Sequence, residues 1–96
     1  MIAVADASPL CYLVWIGEGH LLHDLFSQVL VPQVVIAELL HEQAPDAVRV
    51  WASHLPSWVS VMDVPPGDLS GMEKLHPGEQ GAILLAQSSK SNLILL

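Results

Sequence analysis

Met1-Ile-Ala-Val-Ala-Asp6-Ala-Ser8-Pro9 opens the chain, and its reading decides the fold. Ile2 to Ala5 is a short apolar run that stops on the carboxylate of Asp6, and Leu10 to Ile16 is apolar throughout. Serine followed by proline is a helix-start signal, which puts Ser8 at the N-cap and Pro9 at the first helical position. The stretch predicts a buried strand, an acid at its C-terminal end and an immediate helix. Ligands of open α/β sheets bind beyond the C-terminal ends of the strands. Asp6 therefore marks a site if other residues come to meet it.

The following segments supply the rest of such a fold. The helix from Pro9 to Ile16, apolar on all sides, predicts burial from several directions, and Gly17-Glu18-Gly19 ends it. His20 to Phe26 places Leu21, Leu22, Leu25 and Phe26 at helical spacing with His20, His23 and Asp24 turned away. Val29-Leu-Val31 reads as a second strand. Pro32 opens a third helix running to about His41, on which Val34, Val35, Glu38, Leu39 and Glu42 share a face. Asp46 is placed to cap a helix through His54, Trp58 to Met62 reads as a strand, and Leu69 to His76 as a short, weakly patterned helix. Pro77-Gly78-Glu79 starts a strong helix, and Leu93 to Leu96 is a continuous apolar run of the parallel-strand kind. The order β-α-α-β-α-α-β-α-β predicts an α/β domain with a mostly parallel sheet.

Composition narrows the function. The 96 residues make one small domain, 52% hydrophobic with a mean hydropathy of +0.50, high enough to suggest a partner surface. No apolar run approaches the roughly 20 residues that span a bilayer, and the N-terminus lacks the basic region of a secretory signal. One cysteine, Cys11, in an apolar setting reads as core filler in a reducing cytoplasm. Ten acids against three bases give a net charge of −7. That excludes a protein held on nucleic acid by a broad basic patch, and fits carboxylates that gather a cation.

Three acids stand apart from the solvated majority. Asp6 ends a buried strand, Glu38 sits with Val34 and Val35 on an apolar helix face, and Glu79 lies in the first turn of a helix whose next face residues are Ala82 and Ile83. Taken singly, Asp6 is also a helix cap, Glu38 a snorkelling helix-edge acid and Glu79 a partner of the helix dipole. Taken together they border one sheet. Two carboxylates ~4 Å apart repel by ~4 kcal/mol at an effective dielectric of 20, so convergence demands a proton or a cation between them. Oxygen-only ligands favour Mg²⁺ or Mn²⁺ over zinc. Ser8, two residues past Asp6, is placed to contact water or substrate as well as to cap. His20-x-x-His23 faces away from the apolar side and reads as solvated, and Trp15, Trp51 and Trp58 lie at apolar positions and read as core. There is no P-loop, G-x-G-x-x-G or G-x-S-x-G.

Val4-Ala-Asp6-Ala-Ser8-Pro9-Leu10, then Val29-Leu-Val-Pro32 leading to Ala37-Glu38-Leu39, then His76-Pro-Gly-Glu79-Gln-Gly-Ala82-Ile83, resemble the PIN-domain family in sequence and order. The nearest flavour is that of its VapC-like toxin nucleases and their relatives of unassigned function, and the similarity covers essentially the whole chain. The resemblance implies a three-layer α/β/α sandwich whose carboxylates hold Mg²⁺ or Mn²⁺ and which cleaves RNA. By position, Asp6 resembles the family's first metal acid, Glu38 the second and Glu79 the third, and Ser8 matches the small hydroxyl residue after the first acid. The family places a further aspartate after the strand corresponding to Leu93–Leu96, then another helix and strand. The expectation is a single PIN-like domain over residues 1–96 that lacks these last elements.

Two functions follow from the resemblance. One is a metal-dependent endoribonuclease in the cytoplasm, the toxin of a toxin–antitoxin pair, with RNA as substrate and an antitoxin-like protein as partner. The other is a catalytically degenerate remnant that serves as a protein-interaction or oligomerisation module. The apolar content and the apolar last strand predict a homodimer or higher oligomer in either case.

Overall fold

Apart from the weakly patterned helix expected over Leu69–His76, the predicted order of elements is the observed one. Over the 96 residues that the computed structural model describes, the chain forms β1 (Ile2–Ala5), α1 (Ala7–Trp15), α2 (His20–Leu25), β2 (Gln28–Pro32), α3 (Gln33–Leu39), α4 (Asp46–Ser53), β3 (Val59–Met62), α5 (Pro77–Ser89) and β4 (Leu93–Leu95). The four strands pair in parallel in the order β3-β2-β1-β4.

Strand alternation sorts the core into two layers. Ala3, Ala5, Val29, Val31 and Val59 pack with Leu10 and Val14 of α1, Val35 and Leu39 of α3, and Val48 of α4. Val4 and Leu30, between them in sequence, pack instead with Ala82, Leu85 and Ala86 of α5. Both faces of the sheet are thus covered, as a parallel sheet requires. The result is the expected three-layer α/β/α sandwich with an all-parallel sheet. No helix is long and apolar enough to cross a membrane.

The connectivity positions the site. From β1 the chain steps to β2 and then β3 on one side, returns through α5, and lays β4 on the other side of β1. The winding direction reverses at β1, so a crevice opens where the C-terminal ends of β1 and β4 lie side by side. One bond ties β1 to β4 at that junction and another at the opposite ends of the two strands. Asp6 N donates to Leu95 O at 2.8 Å, and Ile2 N donates to Asn92 Oδ1 at 3.0 Å. The turn into β4 is made by Lys90, which caps α5 in the left-handed conformation at φ 54.

Several local expectations are corrected. Asp6, not Ser8, is the N-cap of α1, and its Oδ1 accepts from Ala7 N at 2.7 Å. Proline is free of cost anywhere in the first turn, where N–H groups have no intrahelical acceptor, so Pro9 does not specify the starting residue. α1 is not buried all round: Leu10 and Val14 face the core, while Tyr12, Trp15 and Ile16 are 65%, 60% and 67% exposed. Trp15 is therefore a surface residue. Trp51 and Trp58 flank the core as expected, and Trp58 stacks on His23 with ring centroids 5.3 Å apart.

α3 ends at Leu39, leaving His41 and Glu42 in a turn closed by Gln43 N donating to His41 Nδ1. Asp46 is the first residue of α4 rather than its cap, and it pairs with Arg49 one turn on. Leu69 to His76 forms turns instead of a helix. That loop is tied to α5 by Gln80 Nε2, which donates to Met72 O at 2.8 Å.

Candidate active site

Asp6 is the most constrained of the three acids. It leaves β1 at the reversal point, is 7% exposed, and is held through its backbone by Leu95 and through its side chain by Ala7 N. Its role as a cap and its place in a site are the same geometry. Capping aims a carboxylate across the mouth of the crevice, where the helix N-terminus favours negative charge.

Glu38 arrives from the last turn of α3 and Glu79 from the first turn of α5. With Asp6, Ala7, Ser8, His76 and Leu96 they line one cleft of about 340 Å³. All four residues singled out from the sequence, Asp6, Ser8, Glu38 and Glu79, therefore border the same space. A broader hollow of about 550 Å³, among Leu40, Asp46, Arg49, Val50 and Ser53, holds a single acid already paired with Arg49.

Two of the acids face each other closely. A β-carbon placed on Gly78 would lie 2.7 Å from Asp6 Oδ1 and 3.1 Å from Glu38 Oε1. The two oxygens thus flank a gap that exists because residue 78 has no side chain. Burial pushes the Glu38 carboxyl above its ordinary range, repulsion from Asp6 pushes it further, and His76 draws it part of the way back. Glu79 stands differently. Its Oε1 accepts from His76 N at 3.3 Å, the N3-to-N-cap half of a capping box. Ser8 is exposed in the first turn of α1, its hydroxyl unneeded for capping.

The donors are hard oxygens and suit a hard divalent cation better than zinc. No three His, Cys, Asp or Glu side chains stand together as a ready metal cluster. The paired element is Asp6 with Glu38, and Glu79 lines the same cleft while bound to the helix start. His76 is the only lining group able to carry positive charge.

Two site members carried no weight in the sequence reading. His76 reads there as the last residue of the weakly patterned Leu69–His76 segment, and Gly78 as part of the Pro-Gly-Glu start of α5. The available signal was Gly78 itself, because glycine is a poor helix former and inside a helix commonly marks a close approach.

No curated protein and no solved structure matches the chain. A family model described as a PIN domain matches residues 2–96, nearly the full length and all three motif segments. The chain belongs to the PIN-domain family.

Proposed function

We propose that this protein is a metal-dependent endoribonuclease that hydrolyses RNA phosphodiester bonds. A PIN domain carries a nuclease-type function in general, and PIN domains in general depend on divalent metal. The observation that carries the narrower reading is the pair of carboxylate oxygens, from Asp6 and Glu38, that flank an open gap at the reversal point of the sheet. Asp6 and Glu38 would hold Mg²⁺ or Mn²⁺ directly, and Glu79 would join them from the first turn of α5.

A cation held there supplies Lewis acidity toward a phosphodiester and lowers the pKa of water. The chain's own groups do the rest. Asp6, fixed through backbone and side chain, sets the position of the site relative to the sheet. Ser8 presents a hydroxyl at the mouth that can orient water or a phosphate oxygen. His76 is the cleft's one side chain that can donate a hydrogen bond from a ring nitrogen to a polyanion that the acids would otherwise repel. Ser8 and His76 both line the cleft, but no hydrogen bond joins them as a nucleophile and its base, and no covalent intermediate is expected.

The test is cleavage of single-stranded RNA with Mn²⁺ or Mg²⁺, with chelator, and with Asp6→Asn. Cleavage should vanish with chelator and in the variant. Activity that survives both sinks the assignment to this site.

A second reading, a homo-oligomeric interaction module, is favoured by the exposed apolar face of α1 formed by Tyr12, Trp15 and Ile16. Calorimetric titration with Mn²⁺ separates the two readings. Binding that is lost in Glu38→Gln supports the nuclease, and no binding at millimolar metal supports the module. A single monomeric species in sedimentation at micromolar concentration counts against the module.

A further inference from the structure

Gly78 occupies an unusual place for a glycine. It is the second residue of α5, a helix of 13 residues, and it is buried. Its backbone has no positive φ, so conformational freedom does not explain it. Steric room does. The missing β-carbon would meet Asp6 Oδ1 at 2.7 Å, Glu38 Oε1 at 3.1 Å and Val35 Cγ2 at 3.4 Å. Two of these three neighbours are the carboxylates of the cleft. The third, Val35, belongs to the rigid core and blocks retreat in that direction.

We infer that Gly78 is a positioning residue for the cation. By carrying no side chain, it keeps open the space between the Asp6 and Glu38 carboxylates that a divalent ion shares. This rests on the proposed metal-dependent reading of the cleft. Alanine would place a methyl group against both oxygens. Asp6 has little freedom to move, because it is buried and bonded to Ala7 N and Leu95 O. Glu38, on a longer and more exposed side chain, yields to the 3.1 Å contact, while the tighter 2.7 Å contact displaces Asp6 Oδ1 from its place or tilts the start of α5 away from it. The pair is then pushed apart while the fold survives.

Gly81 supplies the control. It lies one turn further along the same helix and is crowded somewhat less tightly, with its absent β-carbon 3.0 Å from Val64 Cγ2 and 3.5 Å from both Pro32 Cβ and Val34 Cγ1. Those neighbours are all apolar, and none is a carboxylate. Glycine-to-alanine substitution at either position gains the same helix propensity, so the two variants differ in what the methyl meets.

The experiment is calorimetric titration of Mn²⁺ into the wild type, Gly78→Ala and Gly81→Ala, with folding followed by circular dichroism and thermal melts. Gly78→Ala should fold and bind Mn²⁺ about 10–100-fold more weakly, the usual effect of disturbing the surroundings of metal ligands. Gly81→Ala should bind as the wild type does. Adding Glu38→Asp to Gly78→Ala, which withdraws one carboxylate by a methylene, should restore part of the lost affinity. Wild-type affinity in a folded Gly78→Ala, or an equal loss in Gly81→Ala, overturns the inference and leaves the nuclease reading standing. Absence of binding by the wild type sinks both. If Gly78→Ala does not fold, Gly78→Ala combined with both Asp6→Ala and Glu38→Ala decides: recovery of the fold places the clash at the carboxylate pair, and continued failure places it elsewhere and overturns the inference.

Discussion

Asp6 Oδ1 at the end of β1 and Glu38 Oε1 near the end of α3 both stand beside Gly78, 2.7 Å and 3.1 Å from where its β-carbon would lie, with no lysine or arginine lining the cleft. The cost of that arrangement falls on Glu38, whose carboxyl is held above its ordinary range by burial and by Asp6. Between the ordinary value near 4.5 and the raised one, the folded protein binds more protons than the unfolded chain. Stability therefore falls as pH rises through that window. Glu38→Gln should flatten this slope and stabilise the metal-free protein at pH 7 by about 0.2–1 kcal/mol, the scale of an exposed charge pair. Urea denaturation at several pH values reads the effect, and a less stable variant at pH 7 contradicts it. The same proton must leave before a cation binds, so Mn²⁺ affinity should rise with pH across the window.

The two roles of Asp6 can be separated. Asparagine keeps an oxygen that caps α1 but no charge, and alanine keeps neither. Both variants should lose RNA cleavage. Only Asp6→Ala should also lose the cap, making it less stable than Asp6→Asn by about 0.5–2 kcal/mol. Equal melting of the two variants would show that the bond to Ala7 N contributes nothing.

His76 should be felt by Glu38. Its presence lowers the Glu38 carboxyl, so His76→Ala should raise it further. Carbon-13 titration of the Glu38 side-chain carboxyl measures this directly. A downward shift in the variant would remove His76 from the electrostatics of the cleft.

Lys90 ends α5 in a left-handed conformation that costs a residue with a β-carbon about 1–2 kcal/mol. Glycine avoids that cost but loses more chain entropy on folding, about 0.5–1 kcal/mol. Lys90→Gly should therefore stabilise the protein by up to ~1 kcal/mol without changing cleavage. A loss of stability on chemical denaturation would mean that the lysine side chain makes a contribution larger than the strain.

Much of the molecule was legible because its signals are local. An apolar run that stops on Asp6 announces both strand and acid. Glu38 and Glu79 stand out because each interrupts an apolar helix face. What was not legible depends on which way elements turn and how closely they approach. An α1 that is apolar all round does not say which side meets the sheet, so the exposure of Tyr12 and Trp15 could not be read. Serine before proline pointed to Ser8 as the cap, yet a first turn tolerates proline at several positions and the structure starts the helix at Ala7. Leu69 to His76 has only a weak pattern, and it closes separate turns, Met72 N to Leu69 O and Leu75 N to Met72 O, instead of a continuous helical ladder. The spacing between Asp6 and Glu38 is set by Gly78, a residue distant from both in sequence, and no periodicity encodes such an approach.

The bond between Asp6 N and Leu95 O has a consequence for the order of synthesis. Asp6 and Glu38 leave the ribosome early, but the cleft needs α5 for Glu79 and Gly78, and it needs β4 to hold the far side of β1. At roughly 5–20 residues per second, several seconds separate the emergence of Glu38 from that of Leu95. Through that interval the nascent chain carries two of its acids without the walls that bring them together. The cleft proposed to hold the cation is thereby completed only after β4 has emerged and paired with β1.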